Sequence, residues 1–151
     1  FEPAVVIIMP GTNDTKAKNW KFKEQFVADY QDLIAQFQKL DSKPRIFLCD
    51  PCPVLKSGAY GIVNSGLQAE IPIINKLAAD LELGVINIHD AIGGPVAKNP
   101  HLLPDNVHPS AQGYTILANA VFKALTGEDY NGPSTIAPPP AQRKPAAAAK
   151  N

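Results

Sequence analysis

The sequence predicts a three-layer α/β/α fold, a parallel sheet covered on both faces by helices. Three observations predict it. Short runs rich in β-branched and aliphatic residues recur roughly 40 residues apart, continuous rather than alternating, as strands buried on both faces require. Each run is followed by a polar loop, and each loop by a stretch with apolar residues at helical spacing. A strand–helix alternation of this kind closes into parallel pairs through right-handed crossovers.

The first strand is expected over residues 4–9, Ala-Val-Val-Ile-Ile-Met. A helix should follow from about Asn19 to Leu40, with Phe22, Phe26, Tyr30, Leu33, Ile34 and Phe37 on its inner stripe. Arg45–Cys49 is the second strand. The second helix is expected from about Asn64 to Leu83 on the stripe Leu67, Ile71, Ile74, Ala78 and Leu81. Pro72 must kink it or sit in its true first turn. Val85–Ile88 is the third strand. A long loop then leads to a helix from about Ser110 to Leu125, which Gly127 is placed to stop. Three strands make a small sheet, and the first would be an exposed apolar edge. Phe1 lies only a few residues ahead of that strand, so the domain is expected to be truncated at its N-terminus, with an upstream segment missing.

Composition narrows the function classes. The chain has 151 residues, 45% of them hydrophobic, which suits one packed domain. Basic and acidic side chains number 14 each, giving zero net charge and no basic footprint for nucleic acid. Residues 131–151 hold Arg143, Lys144 and Lys150 and no acid, so the preceding residues are mildly acidic. No apolar run approaches the roughly 20 residues of a membrane span. After about Tyr130 the chain turns to Pro, Ala, Ser and Thr. Such a segment buries too little apolar area to offset its ordering entropy. The expected organisation is a folded domain over residues 1–130 and a disordered tail, or a linker to a further domain, over 131–151.

In open parallel sheets, chemistry collects at the carboxyl ends of the strands. Gly11-Thr12-Asn13-Asp14 leaves the first strand there. The glycine permits a tight turn, and the Asn13 amide can offer an N–H to a carbonyl oxygen; the plainer alternative is a turn or helix cap. Pro104-Asp105-Asn106-Val107-His108-Pro109-Ser110 precedes the last helix. Pro109 disfavours helical geometry at His108, so Asp105 and His108 share a shaped loop. A turn between them brings the carboxylate to one ring nitrogen and leaves the other for a cleft, the arrangement acyl transfer needs. The plainer alternative makes His108 a helix cap and leaves Asp105 solvated.

Together the two loops resemble the SGNH (GDSL-like) hydrolase family of serine esterases and acylhydrolases. Gly11-Thr12-Asn13-Asp14 is similar to the family's third block, whose Asn donates to the oxyanion hole. Asp105-Asn106-Val107-His108-Pro109 is similar to its fifth block, whose Asp and His belong to a Ser-His-Asp triad. The resemblance covers roughly residues 4–126, and in detail it is nearest to the carbohydrate acetylesterases. It implies a flavodoxin-like sheet and catalytic roles for Asp105, His108 and Asn13. It places Gly11 and Asp14 beside the substrate, a small-molecule or carbohydrate ester. It implies no cofactor, no metal and, with the Pro/Ala-rich tail, a secreted or periplasmic setting.

The sequence departs from that pattern at the nucleophile. Its serines are Ser42, Ser57, Ser65, Ser110 and Ser134, and none lies in a Gly-Asp-Ser strand or a Gly-x-Ser-x-Gly elbow. Only Ser57 and Ser65 flank a Gly-containing loop. The expectation is an esterase whose serine lies outside this chain, the fragment alone being nearly inactive. The competing reading is a carbohydrate- or protein-binding module that has lost its nucleophile. A nucleotide binder is disfavoured because no Gly-rich phosphate loop follows the first strand.

The remaining motifs have structural readings. Cys49 and Cys52 have redox spacing, but Pro51 and Pro53 forbid the helix such a site needs, leaving one buried and one loop cysteine. His89-Asp90, His101 and His108 match no metal-ligand spacing, so His89 reads as hydrogen-bonded structure. Lys16, Lys18, Lys21 and Lys23 read as a solvated helix start, and Trp20 as packing rather than a sugar platform.

Overall fold

The computed structural model describes residues 2–55, 59–94, 101 and 105–132. Three strands, β1 (Val5–Ile8), β2 (Arg45–Cys49) and β3 (Gly84–Ile86), form one parallel sheet in the order β1-β2-β3. Val5 pairs with Arg45 and Ile8 with Leu48, while Phe47 pairs with Gly84 and Cys49 with Ile86. Among the described residues five α-helices accompany the sheet, α1 (Ala17–Trp20), α2 (Phe26–Gln38), α3 (Asn64–Asp80), α4 (Ile88–Ala91) and α5 (Ala111–Thr126), with short 3-10 turns at Lys23–Gln25 and Ala59–Gly61.

Two cores explain the continuous apolar runs. On one face Ile8, Ile46 and Leu48 pack with Tyr30 and Ile34 of α2 and Ile74, Leu77 and Ala78 of α3. On the other, Phe47, Cys49 and Ile86 pack with Ile88 and Ile92 and the inner side of α5, including Leu117 and Val121. Successive side chains of β2 thus enter opposite cores, as a strand's two-residue period dictates. The layers are helix, sheet, helix. At the open edge of β1, Ile7 is 40% exposed and Met9 beyond it 45%.

Three features of the elements bear on these expectations. The first helical stretch is broken into α1, a 3-10 turn at Lys23–Gln25, and α2. Lys18, Lys21 and Lys23 crowd this segment with like charge, and Phe22 stays 54% exposed, so little holds a continuous helix there. α3 continues past Pro72, its ninth residue, which excludes the first-turn option. β3 ends at Ile86 rather than Ile88, because the buried Asp50 carboxylate takes the His89 backbone N–H at 2.8 Å and starts α4. The tail beyond residue 132 lies outside the described residues.

Candidate active site

The loop after β1 is built by short hydrogen bonds. Asp14 N–H donates to Gly11 C=O at 2.8 Å, and Thr15 Oγ1 donates to Thr12 C=O at 3.0 Å. Asn19 Nδ2 donates to Asn13 C=O at 2.8 Å, so the Asn13 backbone is pinned while its side chain stays exposed. Neither Asn13 nor Asp14 caps a helix; Lys16 holds the cap position of α1 without a side-chain bond. Val63 N–H donates to Thr15 Oγ1 at 3.3 Å, tying this loop to the start of α3.

The loop before α5 is anchored by Val107, buried with Val54, Ile62 and Leu67. Asn106 takes a left-handed φ of 63°, a conformation asparagine tolerates, and its C=O accepts from Leu55 N–H at 3.1 Å. The turn carries Asp105 and His108 to the same side. Asp105 Oδ1 accepts the backbone N–H groups of Val107 at 2.9 Å and His108 at 3.0 Å. Its Oδ2 lies 2.8 Å from His108 Nδ1. The helix cap is made by Ser110, whose Oγ accepts from Gly113 N–H at 3.1 Å, so His108 is released from capping.

These bonds set the electrostatics. The backbone N–H groups of His108 and Val107, and then the imidazole, pull the Asp105 carboxyl down to about 2. An ionised carboxylate only accepts, so His108 Nδ1 must be the donor and the neutral ring carries its lone pair on Nε2. The Tyr60 ring stands edge-on to the imidazole, centroids 5.8 Å apart. Tyr60 itself has a φ of 52°, an uncommon conformation for a bulky residue.

Asn13 and His108 line one cleft of about 340 Å³, with Met9, Thr12, Tyr60 and Tyr114 among its walls. Gly11 and Asp14 do not line it. Gly11 is buried beneath the turn, and Asp14 faces a separate groove of about 430 Å³ shared with Trp20 and Tyr30. That groove is the larger, but it holds neither Asn13 nor His108, and no histidine lines it. Lys16 lines the cleft, whereas Lys23 lines the other groove.

No described serine lines the cleft. Ser65 is exposed on α3, Ser110 serves as the cap, Ser42 has a buried hydroxyl, and Ser57 and Ser134 lie outside the described residues. The cysteines are both free and buried. Burial pushes the Cys49 thiol up to about 12 and Cys52, which reaches the cleft wall, up to about 11. His89 is buried, with Nδ1 3.2 Å from Asp90 and Nε2 3.0 Å from Gln68 Nε2. Donation from the Gln68 amide to Nε2 and from Nδ1 to the carboxylate satisfies both nitrogens of a neutral ring. Among the described residues no three His, Cys, Asp or Glu side chains converge as metal ligands.

Tyr60 and Glu70 were not singled out from the sequence. Glu70 carried a readable signal: with Leu67, Ile74 and Leu77 it falls on the buried stripe of α3.

The sequence model of a family described as GDSL-like lipase/acylhydrolase matches residues 1–116. An acetylxylan esterase of Xylanibacter ruminicola is 29% identical over 143 residues; the match covers 83% of this chain and 29% of that protein. The chain therefore spans under a third of that curated relative. The lipase/acylhydrolase of Enterococcus faecalis superposes with a TM-score of 0.69 at 21% identity, over 87% of this chain and 65% of the other. A carbohydrate acetylesterase of Sinorhizobium meliloti gives 0.64 at 20%, over 82% and 60%. At such identities the structural likenesses establish the fold.

Proposed function

This chain belongs to the GDSL-like lipase/acylhydrolase family, and from that premise we propose that it forms the base-bearing part of a serine esterase. The reaction is hydrolysis of a small acyl ester, an acetyl group on a carbohydrate, as the name of the acetylxylan esterase relative suggests. What supports the reading is one juxtaposition: Asn13 and His108 line the same cleft, with Asp105 2.8 Å behind the imidazole.

In this reading the nucleophile is a serine outside residues 1–151, on a segment that pairs with the open edge of β1. His108 Nε2 takes the serine proton as Oγ adds to the acyl carbonyl, and returns it to the departing alcohol. Asp105 keeps Nδ1 protonated and balances the imidazolium. The Asn13 side-chain amide donates to the oxyanion, a contact worth ~3 kcal/mol in comparable sites. Water then repeats the sequence on the acyl-serine, releasing the acid. Residues 1–151 by themselves are expected to hydrolyse esters at close to the background rate.

Turnover of acetylated xylan and of a simple aryl acetate by the full-length protein tests this. His108→Ala should abolish it; undiminished turnover would refute the assignment. A binding module is the second reading, favoured by the lack of any described serine in the cleft. Labelling of the full-length protein by a fluorophosphonate disposes of it, and failure to label favours it.

A further inference from the structure

The catalytic reading leaves one buried acid unused. Glu70 is fully buried in the second turn of α3, and neither carboxyl oxygen has a hydrogen-bond partner among the described residues. Its carboxyl lies directly under Gly11: a Cβ built there would come within 2.8 Å of Glu70 Oε2. Gly11 also holds a φ of 120°, so the loop sits on this carboxyl only because position 11 has no side chain. One turn earlier on the same helix face, Gly66 approaches Thr15 so closely that a Cβ would lie 2.8 Å from Thr15 Cβ. Gly66 and Glu70 therefore form a shelf beneath the Gly11–Thr15 loop, whose outer side presents Asn13.

We propose that Glu70 is a positioning residue: its carboxyl, lodged beneath Gly11, fixes the turn that presents Asn13, and loss of its proton releases that turn. The proposal rests on the esterase reading for what Asn13 does, but not for whether Glu70 and Asn13 are coupled. The ionisable groups facing Glu70 are Asp14 from the loop and Tyr30 from α2, which in turn faces Cys49 of β2. None of these is basic, so a charge on Glu70 would be uncompensated. Burial, with the nearby Asp14 charge, raises the Glu70 carboxyl to about 8. Near neutral pH the acid is uncharged and packs as a neutral wedge. Above that midpoint a buried anion forms under the loop beside Asp14, and the turn must shift or admit water to solvate it.

The intact protein is titrated from about pH 6 to about pH 10, a range chosen to bracket that midpoint. Glutamate δ-carbons carry 13C and asparagine amides 15N, with the two signals identified by their loss in Glu70→Gln and Asn13→Ala. Glu70 should titrate near pH 8, and the Asn13 amide signal should move with the same midpoint and stay still in Glu70→Gln. Asp14→Asn should lower both midpoints together. A Glu70 midpoint in the ordinary carboxylate range, or an Asn13 signal indifferent to it, overturns the proposal. In the esterase assay, kcat should fall through the same midpoint in the native protein and not in Glu70→Gln; an identical fall in both also overturns it. If the intact protein hydrolyses no ester, the esterase reading fails while the resonance titration still decides the coupling.

Discussion

Asp105 holds His108 at two points: Oδ1 accepts its backbone N–H at 3.0 Å, and Oδ2 accepts the imidazole Nδ1–H at 2.8 Å. One carboxylate therefore fixes both the loop and the ring it carries. In Asp105→Asn the side chain still fits, but an amide group facing Nδ1 presents an N–H or loses the charge that balances an imidazolium. The ring is then driven to the tautomer with its proton on Nε2, the atom that must accept. On the proposed esterase reading, the full-length protein should lose about 10,000-fold in kcat with its fold intact by circular dichroism.

The same clamp has a pH window. The folded Asp105 carboxyl titrates at about 2, below its ordinary 3.8. Its contribution to stability is therefore complete above the unfolded value and lost as pH falls through about 2. The 13C shift of the Asp105 side-chain carboxyl should keep its ionised value in mild acid and change only near that lower limit. A change centred at the ordinary aspartate value would refute the clamp.

Asn13→Ala separates the proposed oxyanion role of Asn13 from a turn-forming one. The hydrogen bonds that build the loop, from Asp14 N–H to Gly11 C=O and from the Asn19 side-chain amide to Asn13 C=O, do not involve the Asn13 side chain. The variant should melt close to the native protein yet lose about 100- to 1000-fold in kcat with KM little changed. A matching loss of thermal stability would instead assign Asn13 to structure.

The parts of this architecture legible in the sequence are those fixed by neighbours along the chain. β2 could be read from Arg45–Cys49 because both faces of that strand are covered. The Asp105–His108 pairing could be read because three residues of turn suffice to make it. What escaped depends on distant partners. The end of β3 is set by Asp50, 39 residues away, which seizes the His89 N–H. Tyr60 meets His108 from a separate loop, and Glu70 meets Gly11 across α1, α2 and β2. The helix expected over 19–40 breaks between Trp20 and Phe26, where Phe22 stays exposed instead of joining the inner stripe.

Cys49 and Cys52 should behave as inert thiols despite their redox spacing. Burial, with Asp50 close by, raises them to about 12 and about 11, the reverse of the shift that activates a thiol. Iodoacetamide at mildly alkaline pH should label neither in the native protein and both in denaturant, counted by mass spectrometry. Rapid native labelling of Cys52 would show that the cleft wall is more open than its buried position allows.

Glu70 also leaves a signature in stability that needs no enzymatic assay. Its carboxyl rises from an ordinary 4.5 to about 8 in the folded state, so between those values the folded chain holds a proton that the unfolded chain has released. Stability from this group is full below about 4.5, declines as pH rises through that window, and is gone above about 8. Asp50 is also raised by burial and contributes a slope of the same sign, but it is present in every variant. The difference between native and Glu70→Gln melting curves isolates Glu70. Native Tm should fall relative to the variant from about pH 5 to about pH 8 and then run parallel to it. Parallel curves throughout that window would mean that Glu70 is solvated or paired, and that the shelf under Gly11 bears no buried acid.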